Sequence, residues 1–282
     1  MNTKVMYGST VARHIRTDLE GTVLKLKEKE ITPKLTVIII GDNPASETYV
    51  RMKKKAAEKI GIQSTILELP SDTTEQYLLS IIQDLNQDLS THGILVQLPL
   101  PDHINEKKVL DAVSPDKDVD GFHPINVGRL SISQEAFYPC TPLGIMKLLD
   151  FYGVQMKRKH VVVIGRSNIV GKPIGQMLLN EDATVTYCHS KTEDLFEYTK
   201  QADILIVAVG KAHLITKEAV KKGAVVVDVG NTFLDSGKVV GDVVFDNLLG
   251  HASHITPVPK GVGPMTITML LYNTIEAAKR LG

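Results

Sequence analysis

The chain is poor in several things that would set its class. Only two of its 282 residues are cysteine, Cys140 and Cys188, and no metal-ligand spacing joins them. This argues against a disulfide-built secreted protein and suits a reducing compartment. Neither sign of charge dominates, since Lys+Arg and Asp+Glu each number 32, and a strongly basic nucleic-acid binder is disfavoured. No apolar run approaches the roughly 20 residues that a membrane-spanning helix needs. Neither nucleic acid nor membrane is therefore an expected partner. Met1 to Glu20 lacks the apolar stretch of a signal peptide, and Asp18 and Glu20 sit badly in a transit peptide. The cytoplasm is the expected location. His92, His103, His123, His213, His251 and His254 form no ligand spacing, and no metal is predicted.

What remains is an ordinary globular balance, 43% hydrophobic and 23% charged, in a length that fits one large domain or two ordinary ones. The pattern alternates between two periods. Leu35–Ile40 is a β-branched run that reads as a strand buried on both faces. A helical pattern over 45–60 stops at Gly61, and strands at 62–69 and 93–98 flank a helix at 74–89. The stretch from Val113 to Pro142 is rich in turn residues and reads as a long connection and domain boundary. The alternation then resumes, with strands at 160–164, 183–187, 203–209 and 224–229 separated by helical segments, and a last helix at 264–281. Such alternation predicts an α/β fold of βαβ units and parallel sheets.

Two features point to chemistry. Val161–Ile164 runs into Gly165-Arg166-Ser167, with Gly171 and Gly175 in the helix that follows, a strand–turn–helix geometry suited to a phosphate. The spacing is not G-x-G-x-x-G, and glycines kept for tight strand–helix packing are the competing reading. The next strand ends in His189-Ser190-Lys191 with no carboxylate before Glu193. A hydroxyl and cations there, with Arg166 nearby, favour NADP over NAD. The second feature is a lysine. On a helical wheel Ala45, Tyr49, Val50, Met52, Ala56, Ala57 and Ile60 fall on one side, and of the lysines at 53, 54, 55 and 59 only Lys53 points into it. Burial would lower its pKa, unless the stem snorkels the amine to water.

Six strings, in order along nearly the whole chain, carry a resemblance: Tyr49-Val50-Arg51-Met52-Lys53, Gly93 to Pro101 (GILVQLPLP), Lys117-Asp118-Val119-Asp120-Gly121-Phe122, Pro139-Cys140-Thr141-Pro142, Gly165-Arg166-Ser167 with Val170-Gly171-Lys172-Pro173, and Thr256-Pro257-Val258-Pro259 through Gly263-Pro264-Met265-Thr266. Together they resemble the bifunctional methylenetetrahydrofolate dehydrogenase/methenyltetrahydrofolate cyclohydrolase family of one-carbon metabolism. The resemblance implies a folate domain at 1–139 completed by the helix 265–282. It also implies a Rossmann-like NADP domain at 140–264, a cleft between the two, and a homodimer.

Residue by residue, the resemblance assigns the family's tyrosine and lysine to Tyr49 and Lys53, its glutamine to Gln97 and its aspartate to Asp120. Cofactor contacts fall on Gly165, Arg166, Ser167, Ser190 and Asn231, and further substrate contacts on Gly263 and Pro264. Lys260 stands where the family usually has glycine, and Asn231 where it often has an aliphatic residue. The implied reactions convert 5,10-methylene- to 5,10-methenyl- and then to 10-formyl-tetrahydrofolate. A neutral Lys53 would avoid repelling the cationic methenyl bridge and would help remove a proton from the attacking water. Asp120 would accept from the pterin N–H groups. Asp118, Asp120 and Gln97 have a plainer reading as turn and strand-end residues. A shikimate-type NADP dehydrogenase and a non-catalytic dinucleotide-binding regulator are the alternatives.

Overall fold

A computed structural model describes residues 2–234 and 236–282 and, of Ala45, the backbone alone. Ala45 as a member of the apolar side of its helix therefore lies outside the described side chains. The chain divides into two units, Met1–Arg13 with Thr141–Thr266, and His14–Cys140 with Ile267–Gly282. The expected division at 1–139 differs at the N-terminus. Strand β1 (Lys4–Val5) pairs in parallel with β11 (His254–Ile255), Lys4 opposite His254, and so joins the later part of the chain. Two-residue strands carry no period, and nothing in the sequence marked either one.

The unit His14–Cys140 with Ile267–Gly282 is built on a three-stranded parallel sheet of order β3-β2-β4, comprising β2 (Lys34–Ile40), β3 (Gln63–Leu69) and β4 (Gly93–Val96). Its helices are most of α1 (Gly8–Lys27), then α2 (Pro44–Lys59), α3 (Glu75–Gln87), α4 (Glu106–Ala112), α5 (Pro124–Ser131) and most of the late helix α10 (Gly263–Leu281). The central strand β2 is buried from Leu35 to Ile40, as its unbroken apolar run requires between two neighbours and covering helices. Ile38 and Ile40 pack with Leu78 and Ile82 of α3 and Ile94 and Val96 of β4. The stretch 113–142, expected as a connection, holds α5. There His123 Nδ1 caps the Ile125 amide at 3.1 Å and Pro124 opens the first turn. Its eight residues are too few for their period to stand out.

The other unit holds a six-stranded, all-parallel sheet of order β1-β11-β8-β7-β5-β6. Besides β1 and β11 it contains β5 (His160–Ile164), β6 (Thr184–Cys188), β7 (Ile204–Val207) and β8 (Val225–Asp228). Helices α6 (Cys140–Phe151), α7 (Gly171–Asn180), α8 (Leu195–Thr199) and α9 (Phe245–Leu248) and a hairpin of β9 (Thr232–Phe233) with β10 (Val239–Val240) complete it. From β5 the chain steps outward to β6, then returns to the far side of β5 as β7 and continues to β8. The reversal places a topological switch point between β5 and β7, and ligands of open parallel sheets bind outside the carboxyl ends of the strands at such a point. Among the described residues, no helix is long and apolar enough to cross a membrane.

Candidate active site

Helix α2 presents the lysine that the wheel selected. Lys53 is 6% exposed, whereas Lys54 is half-buried and Lys55 and Lys59 are exposed. The buried row is Ser46, Val50, Lys53, Ala57 and Ile60, spaced by three or four residues. Met52 departs from the expected apolar side and is 53% exposed. At about 100° per residue it lies roughly 120° from the centre of the buried row. Lys53 does not reach for water. Its Nζ donates to Gln97 Oε1 at 2.9 Å and lies 4.8 Å from the centre of the Tyr49 ring, one turn back.

Gln97 is fixed from both ends. It follows β4, its backbone N–H bonds the Ile38 carbonyl at 2.8 Å, and its side-chain Nε2 donates to the Leu98 carbonyl at 2.7 Å. The amide therefore turns its oxygen to the lysine. Beside β4 runs the segment 117–121, held by the Ile94 N–H on the Lys117 carbonyl at 2.8 Å. Gly93 permits this approach, because a Cβ there would stand 2.8 Å from Val119 Cγ1.

The two aspartates of this segment divide their tasks. Asp118 is buried, and its carboxylate accepts from the backbone N–H groups of Gly121, Phe122 and His123 and from Asn126 Nδ2, at 2.8–3.2 Å. It ties the turn and is spent doing so. Asp120 is half-buried and faces Lys53, Tyr49 and Cys140 electrostatically. At Gly121 the backbone takes φ +76°, and a Cβ would come within 2.5 Å of the Tyr138 carbonyl carbon. Only glycine lets the 138–140 segment pass this close.

That passage brings in a residue to which the sequence reading gave no role in the site. The Cys140 thiol donates to the Val119 carbonyl at 3.3 Å and lies beside the Asp120 carboxyl, which it influences electrostatically. Asn273 of α10 closes the arrangement, its Nδ2 donating to the carbonyls of Val119 (2.8 Å) and Tyr138 (3.1 Å). Cys140 stood in a quoted string, but which side chain it would meet depends on a contact across some twenty residues of irregular chain. Asn273 had no signal beyond being polar on an apolar helix.

Burial governs protonation here. It lowers the Lys53 pKa, with Asp120 and Cys140 opposing, and raises that of Asp120, with Lys53 opposing. Both groups are pushed toward their neutral forms. Burial also raises the Cys140 thiol and carries the Tyr49 phenol up to about 12, aided by Asp120, so both remain protonated donors at neutral pH.

In the other unit, Gly165 ends β5 at φ +123°, where a Cβ would overlap the Ala208 carbonyl, and a Cβ on Gly171 would overlap that of Gly165. Ser167 Oγ accepts from the Val170 and Gly171 amides at 3.2 Å each and caps α7. In the β5–β6 register Ile164 faces Cys188, so Arg166 and Ser190 stand two residues beyond paired positions, and both are exposed. The β6 loop closes as a turn, His189 N donating to Thr192 Oγ1 at 2.9 Å. Asn231 is exposed just after Gly230. Gly263 and Pro264 open α10 within this unit and not in the one that carries Lys53.

Residues 139–281 match the family described as tetrahydrofolate dehydrogenase/cyclohydrolase, NAD(P)-binding domain, and residues 6–120 its catalytic domain. The chain belongs to the tetrahydrofolate dehydrogenase/cyclohydrolase family. It is 58% identical over 278 residues to the "Bifunctional protein FolD" of Bacillus anthracis, covering 99% of this chain and 97% of the relative. A crystal structure of the bifunctional FolD enzyme from Campylobacter jejuni is 52% identical and superposes with a TM-score of 0.98, covering 99% of each chain. The Trypanosoma brucei methylenetetrahydrofolate dehydrogenase-cyclohydrolase, solved with NADP cofactor and inhibitor, is 41% identical with a TM-score of 0.94, covering 99% of this chain and 98% of that one. Membership in the tetrahydrofolate dehydrogenase/cyclohydrolase family displaces the shikimate-type and regulator alternatives.

Proposed function

We propose that the chain oxidises 5,10-methylenetetrahydrofolate with NADP+ to the 5,10-methenyl cation and hydrolyses that cation to 10-formyltetrahydrofolate. The observation that carries this reading is Lys53, buried, stripped of water and held by Gln97 beside Asp120.

NADP fits the residues present. Gly165 and Gly171 let the turn after β5 and the start of α7 close without a side chain, and Arg166 and Ser190 are both exposed two residues past the paired ends of neighbouring strands. Arg166 and Ser190 would hold the 2′-phosphate, with no carboxylate from β6 up to Glu193 to repel it. Gly165 and Ser167 line the pyrophosphate side, and Asn231 the nicotinamide side. When bound, the cofactor supplies the hydride acceptor.

The chain's own groups supply the rest. Loss of hydride leaves a positive charge on the one-carbon bridge. A charged lysine about 4 Å away would oppose it by about 4 kcal/mol at an effective dielectric of about 20. Burial disfavours the charged form of Lys53 and so weakens that opposition. Water then attacks the cationic carbon as the C=N π pair returns to nitrogen, and Lys53 Nζ takes the proton the water sheds. Collapse of the carbinolamine breaks the C–N5 bond, a proton passing to N5 to leave the N10-formyl group. Gln97 accepts a lysine N–H, which holds the nitrogen in place and keeps its lone pair off the amide oxygen. Tyr49 holds the lysine stem and offers its phenol as a donor. Asp120 takes the N–H groups of the pterin ring, and Cys140 holds its carboxyl in place. Gly263 and Pro264 add contacts to the folate.

The fuller reading is a cytoplasmic homodimer. Both cysteines are buried and free, and β6, at one edge of the six-stranded sheet, has an open side for a second copy. Sedimentation equilibrium at the dimer mass supports the assembly, and a monomer at micromolar concentration rejects it. The activity has a direct test: NADP+ reduction with methylenetetrahydrofolate, then decay of the methenyl product. Failure to reduce NADP+ with this folate ends the proposal.

A further inference from the structure

Past the carboxyl ends of β7 and β8 the chain runs through Ala208-Val209-Gly210 and Val229-Gly230-Asn231. A third segment, Gly241-Asp242-Val243, packs against both, and two buried carboxylates join all three. Asp242 is fully buried, and its Oδ2 accepts from the backbone N–H groups of Val209 at 2.8 Å and Gly210 at 3.0 Å. Asp228, the last residue of β8, accepts at Oδ1 from Gly230 N (2.9 Å) and Asp242 N (3.0 Å), and at Oδ2 from Val243 N (3.0 Å). The packing admits no side chain. A Cβ on Gly230 would overlap Asp242 Oδ1, and one on Gly241 would overlap Asp228 Oδ2.

Two details set this pair apart from an ordinary loop brace. Asp242 Oδ1 is buried without a hydrogen-bond partner among the described residues. Burial, with Asp242 adding to it, also pushes the Asp228 carboxyl up to about 6. Both details cost stability, so stability does not explain why carboxylates stand here. Their location offers another reason. With the 2′-phosphate at Arg166 and Ser190, beside β5 and β6, a dinucleotide laid across the switch point extends its other half over β7 and β8. The loops bound to Asp242 and Asp228 are the ones it meets.

We infer that Asp242, held in place by Asp228, is a positioning residue for the dehydrogenase reaction: it sets the 208–210 and 229–231 loops to receive the nicotinamide half of NADP. The inference rests on the cofactor assignment under the proposed function. The hydrolytic reaction uses no dinucleotide, so Asp242 affects one activity and not the other.

The test uses the full chain with Asp242→Ala, Asp242→Asn and Arg166→Ala. Asp242→Ala strips the acceptor from two amides, and the KM for NADP+ is expected to rise at least tenfold while methenyl hydrolysis stays within twofold of the parent. Asparagine keeps a carbonyl oxygen for both amides and is expected to bring the KM back within threefold. A parallel fall of both activities in Asp242→Ala would reduce the residue to a structural role. An unchanged KM for NADP+ would overturn the inference, as would asparagine failing to rescue. Should the alanine variant not fold, amide exchange on the unmodified protein decides. Saturating NADP+ is expected to slow exchange in 208–210 and 229–231, and no change there overturns the positioning role. Arg166→Ala separates the two layers. No loss of NADP+ affinity in it removes the cofactor assignment and this inference with it. A loss in Arg166→Ala without one in Asp242→Ala removes the inference alone.

Discussion

Replacing Lys53 with methionine should separate the fold from the chemistry. Methionine is a good helix former of similar length, and the position is 6% exposed, so an apolar side chain suits it. One hydrogen bond is lost, the 2.9 Å contact to Gln97, worth about 1 kcal/mol. Against this, the burden of a desolvated amine disappears. The melting temperature should therefore move by no more than about 4 °C. The chemical effect is larger. Loss of a general base costs at least about 100-fold, or roughly 2.7 kcal/mol of barrier, in hydrolysis of the methenyl bridge. Hydride transfer depends on alignment and should persist in part. The pH profile carries a second signature. Lys53 acts when deprotonated, and burial lowers its pKa below the ordinary 10.5. The parent's hydrolysis should rise with pH and level off above that lowered value, and the variant should lack the rise. Stability follows the same linkage: a depressed lysine pKa penalises the parent fold as pH falls through it, so the variant gains on the parent in acid. The assay is methenyltetrahydrofolate decay, corrected for the spontaneous rate, with Lys54→Met and Lys55→Met as controls that should stay near parental. Hydrolysis within threefold of the parent in a folded Lys53→Met protein would falsify the general-base role.

Asp120→Ala should impair both activities through a raised KM for folate, since both reactions share the pterin contact; normal folate affinity in both assays would remove that contact. Arg166→Ala should weaken NADP+ at least tenfold more than NAD+, because the proposed partner of its guanidinium is the 2′-phosphate that NAD+ lacks; equal losses for the two cofactors would reject the assignment. Lys260 holds φ +78°, a conformation that suits glycine. Lys260→Gly should therefore raise stability by up to about 1 kcal/mol, the relief of left-handed backbone less the added entropy of the unfolded glycine, and thermal unfolding that moves downward would show the backbone there to be unstrained.

Period and residue type made much of this molecule legible before its coordinates. The run Leu35–Ile40 announced a central strand, β5 lies at 160–164 as the alternation placed it, and α7 follows as the helix expected to hold Gly171 and Gly175. The helical wheel separated Lys53 from three neighbouring lysines, because burial of one helix face is a local property written every three or four residues. The same wheel misplaced Met52, since apolar character is a one-way guide and a single methionine can face water. What stayed hidden depends on long-range contact. No period predicts that residues 4–5 pair with 254–255, or that Asp118 is consumed by backbone amides while Asp120, two residues on, stays available. Cys140 reached the site through the close approach at Gly121, a matter of backbone shape that no string of letters displays.

Asn273 has a consequence for the order in which the molecule is made. Its amide nitrogen secures Val119, 154 residues earlier in the chain, together with Tyr138. During synthesis the stretch that carries Tyr49, Lys53, Gln97 and Asp120 emerges first, yet the carbonyls that frame Asp120 wait for a helix made last. The other unit can acquire its parallel sheet meanwhile, since both of its segments, Met1–Arg13 and Thr141–Thr266, precede Asn273. The frame around Asp120 is thus incomplete in the nascent chain until α10 arrives. A stop or a proteolytic cut ahead of Asn273 keeps every proposed acid and base in the sequence but removes the clasp on the carbonyls of Val119 and Tyr138.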